Sequence, residues 1–463
     1  MTEHRTRRPM PCLLVFLPGI GGSALRAADG TVVWGLAAAR NPIRVPGLLV
    51  PKGADLADPG YRDGIEPYDL LAAPIPTLTR LAGAYTRLRA RLDASYALDR
   101  TSNYLEFPYD WRRPAAYNAE LLGDAVEARR RALGADAKVI IVAHSMGGLI
   151  ARHYLQNDDR AVHCARVITL GTPHRGAVKA LGYLVNGVEI KHLPFAVLAE
   201  TLRRVPSVYE LLPLYPVVAD RRAGVRPRLR RANNLAAALG LDADLVEHGA
   251  ALLRDLNVEH EFARRLDAVA GFGARTTPQQ ATLHSVHARR VLRVSGGTDL
   301  LAAHESGGDG TVPVVSARPG GAAGVSIGYS DQTHQGVVSA PAALRMLVLM
   351  IDAVLNDLEH DPFLGAADRP GGDPGAPEPA LLVDVDDYYP SAGPVVIGGT
   401  ARAWGGGRKL WARLGTNAAR PVALAEDGAF TAHLGPAAPG VHALALTDDE
   451  NGPALFRDVV EVA

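Results

Sequence analysis

The chain is poor in cysteine, in aromatic side chains and in uninterrupted apolar runs, and it carries no surplus of either charge. Two cysteines in 463 residues, Cys12 and Cys164, exclude a disulfide framework or a structural zinc site. Forty-nine Lys and Arg are matched by 49 Asp and Glu. That balance argues against a dedicated nucleic-acid binder, whose surface would show a basic excess. The apolar stretch Cys12–Leu17 is too short for a signal-peptide core, and no small-residue cleavage site follows it. The longest apolar helix candidate, 337–358, is interrupted by Pro341, Arg345 and Asp352. A membrane-spanning helix needs roughly 20 consecutive apolar residues. The expectation is a cytoplasmic protein.

What is present is globular material. Hydrophobic residues make up 48% and charged residues 21%, so a large core is affordable and a disordered chain is excluded. Strand candidates rich in β-branched residues, at 12–17, 104–107, 138–143, 166–170, 291–295 and 325–329, alternate with helical patterns at 79–95 and 115–133. A final helix repeats Leu344, Leu347, Val348, Ile351, Leu355 and Leu358 on one face. Alternating strands and helices predict βαβ units, a mostly parallel sheet and an α/β fold.

Two intervals break that rhythm. Residues 172–290 show helical stretches, among them 259–269, and no strong strand; they read as a helical cap inserted at about 177–288. Residues 366–379 are rich in Gly, Pro and Asp and read as a linker. Beyond it, about seven short alternating runs in residues 380–463 predict a small β-sandwich. From residue 366 onward 13 acidic side chains face 7 basic ones, which we read as the charge of a solvated surface. The domains expected are therefore 1–365, catalytic, and 380–463, all-β.

The strongest chemical signal is KVIIVAHSMGGLIARHYL, residues 138–155. A buried strand runs into Ala143-His144-Ser145-Met146-Gly147 and then a helix. Small residues at 143 and 147 permit the sharp turn that presents a nucleophilic serine. A serine hydroxyl needs a base and a carboxylate, which follow it in this fold in the order acid, then histidine. Asp309, framed by Gly308 and Gly310 after strand 291–295, is the preferred acid, with Asp299 the competitor. His334, after strand 325–329, is the preferred base; His304, His174 and His144 compete, although His144 should diverge from its neighbour on a tight turn. An acyl-transfer site also needs donors for the developing oxyanion. The N–H groups of Met146, at the helix start, and Ile20, in the loop Leu17-Pro-Gly-Ile-Gly-Gly-Ser23, are the candidates. That glycine loop lacks the lysine or acidic partner of a nucleotide site.

Taken in order, Pro18-Gly-Ile-Gly-Gly-Ser23, Phe107-Pro-Tyr-Asp-Trp-Arg112, Ala143-His-Ser-Met-Gly-Gly148, Gly171-Thr-Pro-His-Arg-Gly176, Gly308-Asp-Gly-Thr-Val-Pro313 and His334 resemble the lecithin:cholesterol acyltransferase family, which includes phospholipid:diacylglycerol acyltransferases. The resemblance covers roughly residues 12–360. It implies an α/β-hydrolase fold with a cap, a Ser145–Asp309–His334 triad, and an oxyanion hole of Ile20 and Met146. The chain departs from the family in its C-terminal β domain and in cysteines placed in or beside core strands.

Trp111 reads as a wall of an acyl site, or as part of a loop fixed by Asp110 and Arg112. His174 and Arg175 read as head-group contacts or as loop-shaping residues. Residues 192–216 read as an amphipathic lid able to touch a membrane surface, or as a cap segment packed on its own core.

The function expected is a serine-dependent acyl hydrolase or acyltransferase acting on lipid esters. The alternatives are an esterase or thioesterase on a small non-lipid substrate, and a catalytically idle binding or toxin-like module targeted by its β domain. No metal or organic cofactor is implied, and the protein partner of the β domain is unknown.

Overall fold

The computed structural model describes residues 7–35, 50, 54–56, 58–71, 79–186, 188–190, 193–195, 201–220, 229–258, 260–274, 280–286, 289–295, 307–320 and 325–360, and then 380–384, 388–389, 393–402, 409–425, 428–435, 437–450, 452 and 454–462. The expected linker 366–379, Asp299 and His304 lie outside these residues.

The central sheet has six strands: β1 Leu13–Leu17, β2 Tyr104–Glu106, β3 Val139–His144, β4 Cys164–Leu170, β5 Leu266–Gly271 and β6 Ser326–Ser330. Their order across the sheet is β6-β5-β4-β3-β1-β2. Every pairing is parallel. A parallel sheet must be covered on both faces, and the side chains divide accordingly. Leu13, Val15, Leu17, Val139, Ile141 and Ala143 enter one apolar cluster, while Leu14, Phe16, Ile140 and Val142 enter another. Helices α2 (Ala115–Leu133) and α3 (Met146–Asn157) supply the first face; α1 (Thr79–Ser95) and α6 (Pro341–His360) supply the second. The stripe Leu344, Leu347, Val348, Ile351 and Leu355 is buried as its spacing predicts. Pro341 opens α6 instead of interrupting it, because the first helical position needs no N–H.

The structure differs from the sequence reading in two places, a stretch expected to be helical and a strand expected in the central sheet. Residues 266–271 are core strand β5, not part of a helix. Residues 291–295 are not in the central sheet at all. They belong to the hairpin Gln280–Val286/Arg289–Ser295, which joins Val218–Asp220 and Leu229–Arg230 in a separate four-stranded sheet. The insertion thus combines that sheet with helices α4 (Val178–Asn186) and α5 (Ala243–Leu256). The confusion has a physical cause. Leu-Asp-Ala-Val-Ala-Gly is short and Ala-rich, so its local pattern continues the preceding helix, whereas the β-branched run after residue 288 carries the stronger intrinsic strand signal.

A three-stranded antiparallel sheet of Val32–Trp34, Ser23–Ala27 and Ile65–Leu70 follows β1. The C-terminal region forms a three-stranded sheet and a five-stranded sheet, with neighbours antiparallel except for Tyr388–Tyr389. Val395, Ile397, Phe430, Leu410, Leu444 and Val460 from both sheets bury together, the arrangement of a sandwich.

Candidate active site

The site lies at the C-terminal ends of β1, β3, β4, β5 and β6, where loops leave an α/β sheet and ligands bind. Strand β3 ends at His144 and α3 begins at Met146, so Ser145 alone makes the turn. Its backbone sits at φ 53°, ψ −126°, and it is the one non-glycine residue with positive φ among the described residues. Such a conformation costs about 1–3 kcal/mol and persists only where the surroundings enforce it. Here Ser145 N–H donates to the Leu170 carbonyl at 3.0 Å, and Gly148 N–H to the Ser145 carbonyl at 3.0 Å. The small neighbours are required by contact. A Cβ on Gly147 would collide with the Pro18 carbonyl, and one on Gly148 with the Thr172 hydroxyl.

His334, just beyond β6, lies with Nε2 3.0 Å from Ser145 Oγ and Nδ1 2.7 Å from Asp309 Oδ2. The other carboxylate oxygen of Asp309 accepts Thr311 N–H at 2.9 Å and Val312 N–H at 2.7 Å, and His334 N–H donates to the Asp309 carbonyl at 2.8 Å. Asp309, with 2% exposure, and His334, with 7%, are both buried. Because an ionised carboxylate only accepts, the hydrogen on His334 is at Nδ1 and Nε2 faces the serine as an acceptor. The glycines Gly171 and Gly271 make room for this pair. A Cβ on Gly271 would lie 2.7 Å from Asp309 Cβ, and one on Gly171 would lie 3.0 Å from Asp309 Oδ2.

Ile20 and Gly21 are the central residues of a turn closed by Gly22 N–H to the Gly19 carbonyl at 2.9 Å, with Gly21 at φ 71°. A β-turn does not use the N–H groups of its central residues. Met146 likewise opens α3, so its N–H has no acceptor within the helix. The turn is close to the elbow: a Cβ on Gly19 would lie 2.9 Å from Ser145 Cβ.

Trp111 is buried and sits edge-on to Trp34, ring centroids 5.2 Å apart, while Trp34 Nε1 donates to the Gly21 carbonyl at 2.9 Å. Its own carbonyl accepts Ser207 Oγ from the insertion at 2.5 Å. Asp110 and Arg112 do pair, at 2.7 Å, and Asp63 closes on the same guanidinium at 2.7 Å. His174 is not brought to the site as a head-group contact. It is fully buried, Nδ1 faces Arg152 at 3.3 Å and Nε2 faces Thr169 Oγ1 at 3.2 Å. Both ring nitrogens are thereby occupied inside the protein. The described part of the expected lid also turns inward: Leu202, Val205, Val208, Tyr209, Leu211, Leu212 and Tyr215 are buried in the main core. A membrane face on these residues is therefore corrected to core packing.

Tyr85 and Trp34 belong to no motif and carry no sequence signal of a role; Tyr109 lies within the motif 107–112, but the motif assigns nothing to its hydroxyl, which reaches the Pro18 carbonyl. His144, a competing base by sequence, directs its ring to Tyr85 and the His334 carbonyl instead of Ser145. Among the described residues no group of acidic, cysteine and histidine side chains has the makings of a metal site, and no helix is long and apolar enough to cross a membrane.

A six-stranded parallel sheet, a strained serine at a strand–helix elbow, an aspartate in the connection between β5 and β6, and a histidine just beyond β6 define an α/β-hydrolase. Residues 80–232 match the sequence model of the lecithin:cholesterol acyltransferase family, the family that the motifs resemble. The match spans the elbow and part of the insertion, and it supports an ester hydrolase or acyltransferase. No curated protein sequence matches the chain. Among solved structures, the Tle4–Tli4 complex is similar at 16% identity over 79% of this chain and 100% of that chain, with a TM-score of 0.52. The mature lipase BlEst2 of Bacillus licheniformis is 13% identical over 76% of this chain and 94% of its own, with a TM-score of 0.32. The metagenomic carboxyl esterase MGS0156 is 18% identical over 60% and 74%, with a TM-score of 0.31. At 16% identity the likeness to the first of these is one of fold.

Proposed function

We propose that the protein is a serine-dependent acyl hydrolase or acyltransferase of lipid esters, working in the cytoplasm through an acyl-serine. The observation that carries this reading is the continuous line of hydrogen bonds from Ser145 Oγ through His334 to Asp309, buried and anchored on a strained elbow. Ser145 Oγ attacks the ester carbonyl while His334 Nε2 takes its proton. Asp309 holds the imidazole in the accepting tautomer and stabilises the imidazolium that forms. The oxyanion is held by the N–H groups of Ile20 and Met146. His334 then returns the proton to the leaving alcohol. A second oxygen nucleophile, water or an alcohol, gives its proton to His334 and takes the acyl group from Ser145, and His334 passes that proton to the departing Ser145 Oγ, which restores the hydroxyl. Two unpaired, buried cysteines are in keeping with a reducing compartment.

The test is product profiling on a panel of phospholipids, glycerides and short soluble esters, with and without an alcohol acceptor, alongside labelling by a fluorophosphonate. The expected result is labelling at Ser145 and release or transfer of the acyl chain, lost in Ser145→Ala. Turnover retained by Ser145→Ala, or label on another serine, refutes the assignment. Turnover confined to small polar esters replaces the lipid class with the non-lipid one.

A further inference from the structure

The peptide joining Pro18 to Gly19 stands immediately before the turn that presents Ile20, and buried phenols hold it at both ends. The Pro18 carbonyl accepts Tyr109 Oη at 2.8 Å, and Gly19 N–H donates to Tyr85 Oη at 2.7 Å. Tyr109 comes from the loop after β2 and Tyr85 from α1, and neither exceeds 3% exposure. The Tyr85 oxygen has a second partner, His144 Nδ1 at 2.9 Å, and His144 Nε2 lies 3.0 Å from the His334 carbonyl.

Every hydrogen in this chain has one possible direction. A carbonyl only accepts, so His144 carries its hydrogen on Nε2 and offers Nδ1 as acceptor. Gly19 N–H only donates, so Tyr85 accepts from it and gives its own hydrogen to His144. The charges are settled by the surroundings. Burial first, and the facing His334 second, hold His144 well below the usual histidine pKa. Burial likewise pushes the Tyr85 phenol up, so it remains a donor. The two histidine rings are 4.8 Å apart, close enough that a charge on His144 would oppose the imidazolium on His334. A neutral relay avoids that opposition.

We propose that Tyr85 and His144 are positioning residues: a neutral, buried hydrogen-bond relay that holds the oxyanion turn and the backbone of the base His334 in one register, with Tyr109 as the second clamp on the Pro18–Gly19 peptide. The inference deepens the proposed function and rests on it. An amide plane held at its carbonyl and its N–H cannot swing, and swinging it would tilt the next N–H, that of Ile20. Removing the Tyr85 hydroxyl releases Gly19 N–H and orphans a buried acceptor on His144. The oxyanion exists only in the transition state and the intermediate, so the loss falls on kcat and leaves KM nearly unchanged.

The experiment compares wild type, Tyr85→Phe, Tyr109→Phe, His144→Gln and His144→Leu on one short-chain soluble ester, with melting temperature and fluorophosphonate labelling rate for each. Tyr85→Phe should lower kcat about tenfold to a hundredfold, less than the roughly 10²–10³ of deleting an oxyanion donor outright, with KM within about threefold of wild type. His144→Gln retains a donor for the His334 carbonyl and an acceptor for Tyr85, so it should outperform His144→Leu by about tenfold or more. Tyr109→Phe should lower kcat in the same sense. The relay is overturned if folded Tyr85→Phe keeps kcat within about twofold, if its defect falls in KM alone, or if folded His144→Gln and His144→Leu are equal. Should Tyr85→Phe fail to fold, the His144 pair decides. A wild type that labels at Ser145 while these variants behave as wild type refutes the relay only; a wild type that neither labels nor turns over refutes the functional reading.

Discussion

Asp309→Asn offers the sharpest test of the acid, because the structure states what each carboxylate oxygen does. Oδ1 accepts two backbone N–H groups, from Thr311 and Val312, and Oδ2 accepts His334 Nδ1. Asparagine preserves the size and keeps an oxygen for the two backbone donors, which places its NH₂ group against His334 Nδ1. An NH₂ group only donates, so Nδ1 must become the acceptor and the hydrogen moves to Nε2. The imidazole then presents a donor to Ser145 Oγ and cannot take its proton. In serine hydrolases this change of tautomer costs about 10⁴ in turnover, or about 5.5 kcal/mol of transition-state stabilisation. The fold should lose much less. One charge-assisted hydrogen bond is weakened, worth roughly 1.5–3 kcal/mol, and the loop keeps its backbone contacts. Initial rates on a short-chain ester at neutral pH, with circular dichroism and a urea titration as controls, separate the two effects. A folded Asp309→Asn within about tenfold of wild type would refute the assignment, since no orienting carboxylate is then needed. So would a crippled Asp299→Asn beside an active Asp309→Asn.

Ser145→Gly should be inactive yet more resistant to urea than Ser145→Ala, because glycine adopts φ 53° without the roughly 1–3 kcal/mol that a Cβ incurs there; equal midpoints would show that the elbow is not strained. Cys12 and Cys164 are buried, and burial pushes both thiols up to about 12. A thiol reagent at pH 8 should therefore leave the native protein unmodified and label both residues only after denaturation, as followed by mass spectrometry. Ending the chain at Gly365 should leave a folded enzyme active on a short soluble ester. The C-terminal strands keep an apolar cluster of their own, and the core clusters draw on residues up to Leu358; an insoluble product would contradict this.

Local chemistry was enough to locate several parts of the molecule. The strand Val139–His144, a serine between small residues, and the apolar start of α3 are neighbours in sequence, so steric logic alone marks the elbow. The stripe on α6 and the alternation in the C-terminal strands are likewise periodicities of one segment, and they emerged as a buried helix face and a two-sheet sandwich. Glycine-framed Asp309 and strand-end His334 are legible from such local signals, and the fold hydrogen-bonds Asp309 to His334 and His334 to Ser145.

Only the tertiary structure decided which strand precedes the acid. Residues 266–271 carry a weak strand signal and become β5 because β4 and β6 pair with them on either side; residues 291–295 carry a strong one and pair elsewhere. The same holds for His174, whose place in the motif suggested a substrate contact until the fold buried it against Arg152 and Thr169. Tyr85 lies 59 residues from His144, with nothing in its own helix to set it apart. Periodicity and turn chemistry act over a few residues and are therefore written in the sequence. Sheet order, and which polar groups meet once water is excluded, depend on contacts between distant segments, and those exist only after the chain has packed.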